Sequence, residues 1–414
     1  MKREVELSIL DELLRQLDTK RNIDAGVMYR NPTSVYTCPE IARAERQTFF
    51  RDHPQLIALS GALPGPGSFV TVDDLGVPIL ATRDEEGRFR AFVNACRHRG
   101  ARVAEGRGEA SHFKCPFHNW VYSNRGELAA IPLADQVGKI DKSCHGLVEL
   151  AAVEQGGLLW VHPRADGRID LDRQLAGLGP EIASWRFGDL VYMGETVIER
   201  RLNWKLANDT FGETYHFSRL HKDTLGQVFH GDALGYEEFG RNHRFVIATK
   251  AIDEVRTRPR EEWSLIEATS PLYYLFPNIQ LSFGKGSVSL IKIYPDPAHP
   301  DDPSRSRTRV SYYFHQELID LAENAGDEVQ RYTAENAYER EVGALAVPTL
   351  SAFTEVFEST IEQEDYRMGE HQQRAAESGQ LAHLVFGRNE PALHHYHSHF
   401  REALGMPPLE RIEP

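Results

Sequence analysis

Residues 96–120 read CRHRGARVAEGRGEASHFKCPFHNW. Four side chains in this stretch are good metal ligands: Cys96 and His98 as Cys-x-His, then Cys115 and His118 as Cys-x-x-His. Two thiolates and two imidazoles can close a tetrahedral zinc site, or they can divide between the irons of a two-iron, two-sulfide cluster. The common zinc module with this donor set runs Cys, Cys, His, His, each pair on its own element. Here each short loop offers one ligand of each kind. That order suits a cluster in which one iron takes both thiolates and the other both imidazoles, with a potential of roughly −150 to +300 mV because neutral imidazole replaces charged sulfur. Cys38 and Cys144 stand outside the pattern and are expected as small buried hydrophobes.

Outward from this stretch, residues 51–165 alternate short apolar runs such as SFVTV and VPILATR with turn signals at Pro64-Gly65-Pro66-Gly67 and Asp84-Glu85-Glu86-Gly87. That is the pattern of a small all-β domain. Residues 1–50 read as helical, an amphipathic helix carrying Leu10, Leu13, Leu14 and Leu17, a connector near Asn31-Pro32, and a helix from Ile41 to Arg51. Residues 166–189 are polar enough for a linker. From 190 to 414, strand candidates (Phe245–Ala248, Leu272–Phe276, Ile279–Phe283, Ser287–Tyr294, Thr308–Phe314) are followed by helical tracts over Glu317–Tyr338, Ile361–Ser378 and Glu390–Leu404. The whole reads as α+β.

A net charge of −14 from 47 basic and 61 acidic residues argues against nucleic acid as partner. The opening helix is charged rather than a leader, no run is apolar enough to span a membrane, and four cysteines give no disulfide framework, so a cytoplasmic location is expected.

A second donor group lies in ETYHFSRLH, residues 213–221. Glu213 and His216 are three apart and share a face if the segment is helical. His221 can share a metal with His216 only if the helix bends or ends between them. Together with the Arg99-Gly100, Pro116 and Trp120 surroundings of the first loops, this text resembles the large subunit of Rieske non-haem iron oxygenases of the aromatic-ring-hydroxylating type. Asn119 departs from the family's usual Gly, and Asn tolerates the positive φ such a turn needs.

The resemblance implies a Rieske [2Fe-2S] domain followed by a helix-grip (START-like) catalytic domain whose antiparallel sheet encloses a mononuclear Fe(II). It implies His216, His221 and a carboxylate from EDYRMGEHQQ as iron ligands, by pattern Asp365, with Glu364 the competitor across a one-residue slip. It further implies electrons from NAD(P)H through a ferredoxin or flavin reductase, a homotrimer with a small second subunit in some members, and Glu213 as the bridge from His216 to His98 or His118 of the adjacent subunit. Asp209 falls near a family position close to the iron. The resulting expectation is oxygenation, by O2, of an aromatic or hydrophobic carboxylate. Two alternatives are a monooxygenase cleaving the C–N bond of a quaternary or alkyl amine, which Glu213 favours, and an electron carrier with an inactive helix-grip pocket. Tyr273, Tyr274, Phe276 and Phe283 are candidates for an amine cage, Phe217 and Phe357 for pocket walls, and Arg97, Arg99, Arg102 and Arg107 for a docking patch. His394, His395, His397 and His399 read as a surface helix face.

Overall fold

The computed structural model describes residues 1–324, 330–332, 346–348 and 350–413. Contacts divide the chain into one unit of Met1–Ala44, Leu171–Trp185 and Tyr192–Pro414, and another of Glu45–Asp170 with Arg186–Val191.

The smaller unit is all-β around its core. Five strands run in the order Glu149–Leu150, Phe89–Val93, Ile79–Arg83, Ser68–Val72 and Arg107–Glu109, and two further three-stranded sheets complete it. One of these is the meander His112–Lys114, Val121–Ser123, Leu128–Ala130, whose first connection is the second Cys-His loop. Leu80, Phe92, Val103, Phe113, Trp120, Tyr122 and Leu128 pack around Cys96 and Cys115, so each loop is anchored by the ligand that is also apolar. The turn joining Ile79–Arg83 to Phe89–Val93 is tied by fully buried Asp84. Its Oδ1 accepts the amides of Glu86 (3.0 Å) and Arg88 (2.9 Å), and its Oδ2 accepts Arg90 Nε (2.9 Å). Burial alone would raise that carboxyl, but Arg90 and the two amides outweigh it and hold it below its ordinary value.

The larger unit carries a seven-stranded sheet, in the order Leu190–Arg200, Ser306–His315, Ser287–Pro295, Ile279–Gly284, Thr269–Leu275, Asn242–Thr249 and Phe229–Phe239. Its last six strands pair antiparallel as successive neighbours. The opening helix, Arg3–Thr19, lays Leu10, Leu13 and Leu14 on Ala233, Val246, Ile252 and Leu265. Its Leu spacing of three and four residues makes one apolar stripe, which covers the sheet edge here.

Three local expectations change. The connector at Asn31-Pro32 is the end of a strand, Met28–Pro32, held between His383–Phe386 and Glu410–Ile412. Buried Asn31 donates its side-chain Nδ2 to Tyr36 OH, a pairing that short-range pattern does not reveal. The polar stretch 166–189 contains helices Leu171–Leu175 and Gly179–Ser184, because Leu171, Leu175, Leu178 and Ile182 recur at helical spacing and are buried. Among the described residues of the tract Glu317–Tyr338, the helix is Gln316–Asn324. Gln330–Tyr332 is a strand pairing parallel with Ala346–Pro348, and the remainder lies outside the described residues. Among the described residues no helix is long and apolar enough to cross a membrane.

Candidate metal centres and active site

The two Cys-His loops are the same turn made twice. In the first, Gly100 N–H donates to Cys96 O and Cys96 N–H to Ala101 O, both at 2.8 Å. In the second, Asn119 N–H donates to Cys115 O (2.9 Å) and Cys115 N–H to Trp120 O (2.8 Å). The residue four after each cysteine must be left-handed to close the turn, and it is: Gly100 at φ 79° and Asn119 at φ 57°. Cys96 and Cys115 are buried while His98 and His118 are exposed, with their rings 4.5 Å apart. Trp120 stacks on His98 at 5.0 Å. Tyr122 OH accepts the Arg97 amide (2.9 Å) and lies 3.3 Å from Cys96 Sγ. Burial pushes the Cys115 thiol up. Two buried sulfurs in contact need a cation to become thiolates, so the donor chemistry fits a metal cluster.

Cys38 and Cys144 are not the buried hydrophobes expected. Cys144 is exposed and Cys38 half-buried, and each Sγ donates to a nearby carboxylate, Asp141 and Glu40 respectively. Arg97, Arg99, Arg102 and Arg107 are all exposed, with Arg99 over the Phe117 ring and Arg102 paired with Asp73.

In the larger unit the regular helix Trp204–Asp209 ends before the second donor group, and residues 215–224 are successive turns. Glu213 and His216 therefore do not share a helix face. The Glu213 carboxylate instead caps the turn, taking the amides of Tyr215 and His216 (3.2 Å for the latter) and facing His216 Nδ1. The turns bring His221 beside His216, ring centroids 4.9 Å apart. Asp365 closes the group from a π-helical segment, Ile361–Asp365, inserted between helices Leu350–Thr360 and Tyr366–Glu377. Its Oδ1 lies 3.0 Å from His221 Nε2 and 3.3 Å from His216 Nε2, and donor atoms of the three residues all fall within 4.8 Å of one another. A π-turn inside a helix is a frequent mark of a functional site.

His221 is fully buried and Asp365 nearly so, yet His216 Nε2 makes no hydrogen bond. Burial alone would lower both imidazoles; for His216 the Asp365 and Glu213 carboxylates override it and raise the ring to about 10. His221 is likewise raised, through Asp365 and Glu364. Burial alone would raise Asp365; the two imidazoles instead hold it low. Positive charge is wanted at the centre of this group, and two imidazoles with one carboxylate are the facial set that leaves other positions of a ferrous iron open.

Glu364 stands apart from that convergence, on the Nδ1 side of His221. Asp209 also stands apart: His397 Nε2 meets its two oxygens at 2.9 and 3.0 Å, and Tyr36 OH donates to Oδ2 at 3.0 Å. The histidine helix, Pro391–Ala403, is therefore not a surface face. His394, His395 and His397 are buried, His397 on Asp209 and His395 between His243 and the Gly240 carbonyl. The spacing of these residues could not show this, because their partners come from distant strands and turns.

A cavity of about 300 Å³ opens on the His216, His221 and Asp365 group. Phe217 and Phe357 both line it, with Phe211, Phe229, Phe245 and Phe283. Of the proposed cage only Phe283 takes part. Tyr273, on the face of its strand opposite Ser270 and Leu272, turns its hydroxyl to Glu181, while Tyr274, further along the cavity-side face, gives its hydroxyl to the Pro277 carbonyl. Among the described lining residues there is no Lys or Arg.

An all-β unit with a Cys-His, Cys-His cluster site and an α+β unit with a two-histidine, one-carboxylate pocket define a non-haem iron oxygenase class of chain. The ring hydroxylating alpha subunit (catalytic domain) model matches residues 187–406 and the Rieske [2Fe-2S] domain model residues 53–142, so the chain belongs to the ring-hydroxylating alpha subunit family. These domains imply a Rieske cluster and a mononuclear iron as resident cofactors. The glycine betaine monooxygenase oxygenase subunit of Chromohalobacter salexigens is 29% identical over 49% of this chain and 45% of its own length. The anthranilate 1,2-dioxygenase large subunit of Burkholderia cepacia is 30% identical over 46% and 48%. The chain thus spans about half the length of the curated relatives it matches. A quaternary ammonium Rieske monooxygenase, described with carnitine oxidation and inter-subunit electron transfer, has the same fold, with a TM-score of 0.69 and 19% identity over 92% of this chain and 96% of that one.

Proposed function

We propose that this chain is the terminal oxygenase component of a Rieske oxygenase system, hydroxylating or dihydroxylating a substrate whose reacting end is aromatic or otherwise apolar. The observation that carries this reading is the phenylalanine-lined cavity ending on His216, His221 and Asp365. Burying a ring-sized ligand of about 150 Å² at about 25 cal/mol per Å² contributes ~4 kcal/mol. A cation there would gain about 0.5–2 kcal/mol from ring faces and would also have to shed its water. A carboxylate on the substrate would meet hydroxyls such as Ser282, Ser289 and Thr360 rather than a cationic side chain among the described residues.

His216, His221 and Asp365 would hold the mononuclear iron, and Cys96, His98, Cys115 and His118 the cluster. When bound, the cluster supplies single electrons and the ferrous iron supplies the chemistry that activates O2. The protein's own part is to exclude water with six phenylalanine rings, to orient the apolar end of the substrate, and to fix the imidazoles. Glu213 holds His216 by Nδ1, which leaves Nε2 free to face the metal position. In a homotrimer its carboxylate would link His216 to His98 or His118 of the partner subunit, and electrons from NAD(P)H would enter through a ferredoxin or flavin reductase.

The test is iron content with an oxygen-uptake screen. Two irons for the cluster and one for the three-donor site are expected, with uptake coupled to apolar aromatic compounds. Uptake coupled to carnitine-like amines alone would favour C–N cleavage, the reading supported by Glu213 and by the amine-oxidising relatives. Two irons and no coupled uptake would leave an electron carrier.

A further inference from the structure

Glu364 and Asp365 are consecutive acids on the π-helical segment, and they lie against opposite edges of one imidazole. Asp365 Oδ1 is 3.0 Å from His221 Nε2, while Glu364 Oε2 is bonded to His221 Nδ1. Consecutive residues of a helical turn point in clearly different directions, about 100° apart in an α-helix and somewhat less in the wider π-turn, which lets one ring sit between the two side chains. The Glu364 oxygen that meets Nδ1 is held from a second side: Thr224 OH donates to it at 2.8 Å, and Thr224 N–H donates to the His221 carbonyl at 3.0 Å. The carboxylate thus clamps the turn that carries His221 as well as its ring.

A neutral imidazole has one N–H and one lone pair, and an ionised carboxylate can only accept. With Glu364 on Nδ1, the ring proton is placed there and the lone pair falls on Nε2, the atom facing Asp365 and His216. We propose that Glu364 is a positioning residue for the mononuclear iron site, setting the tautomer and angle of His221 through Nδ1 rather than binding the metal itself. This rests on His216, His221 and Asp365 being the ligands. Glu213 does the same for His216, so each histidine is backed by its own glutamate: one three residues away on the same turn, the other 143 residues away and braced by Thr224.

The test uses the holoprotein, with ferrous iron at the mononuclear site measured by anaerobic titration against a chelator; far-UV circular dichroism and the thermal unfolding midpoint are the control for folding of the larger unit, and the visible cluster spectrum is the control for the smaller one. Glu364→Ala should weaken iron binding about 10–100-fold, the usual effect of removing a partner behind a ligand histidine. Glu364→Gln, whose amide oxygen still accepts from Nδ1, should restore most of that loss, and Thr224→Val should show a smaller loss of the same sign. Wild-type affinity in Glu364→Ala would overturn the proposal, as would a Glu364→Gln protein as iron-poor as Glu364→Ala, which would mark Glu364 as a ligand. If Glu364→Ala loses its far-UV circular dichroism and so fails to fold, the other two variants decide: retention by Glu364→Gln with a loss in Thr224→Val supports the clamp, and the reverse overturns it. His216→Ala separates the underlying reading: if it keeps the third iron, the ligand set is wrong, whatever Glu364 does.

Discussion

The two donor groups of this chain are built in opposite ways. In the smaller unit all four candidate ligands come from 23 residues, on two turns closed by their own backbone, with the sulfurs buried and the imidazoles exposed. In the larger unit His221 and Asp365 are buried and His216 half-buried, and His221 meets Asp365 across 144 residues of chain. A centre that passes electrons outward needs ligands at the surface. One that must keep water from a reactive site needs ligands at the end of an apolar cavity, and only a folded sheet and helices can provide that.

The contrast is open to direct attack. The largest expected effect comes from Cys115→Ser, which should abolish the cluster's visible absorption while the third iron still binds; loss of both would show that the two sites are not built independently. His216→Ala is expected to do the converse, taking the third iron and reducing coupled oxygen uptake to background with the cluster spectrum unchanged. Within the smaller unit, Asp84→Ala removes the partner of Arg90 from a fully buried position and should cost about 3 kcal/mol, read by denaturant unfolding followed at the cluster absorbance. Because the Asp84 carboxyl lies below its ordinary value in the fold, its contribution is full above pH ~4 and lost as pH falls through the folded value, so the variant should lose the wild type's acid sensitivity from this group. The smallest effect is at the turn: Asn119→Ala should cost about 1 kcal/mol at φ 57° and Asn119→Gly close to nothing, measured in the same unfolding experiment.

Much of the site was legible in the residues because short-range chemistry wrote it. Gly100 and Asn119 stand where a left-handed residue must follow each cysteine by four, so the paired turns can be anticipated from spacing. The alternating runs around SFVTV and VPILATR likewise announce the β unit. The histidine helix was not legible: His395 and His397 look like a solvated face until His243, Gly240 and Asp209 are brought against them. The aromatic wall was legible in part: Phe217, Phe357 and Phe283 line the cavity, while Tyr273, on the strand next to Phe283, turns to Glu181. Periodicity reports that a strand has two faces, not which face meets the cavity.

By itself the sequence determined the kinds of ligand, the order Cys, His, Cys, His, the pairing of His216 with His221, and the presence of two adjacent acids downstream. Only the tertiary structure decided where each acid stands. Glu364 and Asp365 are one residue apart, and a slip by one residue exchanges them in any alignment. The π-helical segment places them on opposite edges of His221, one on Nδ1 and one on Nε2. A single imidazole has one proton to give and one lone pair to offer, so the roles proposed for the two carboxylates follow from the edge each occupies rather than from its place in the chain.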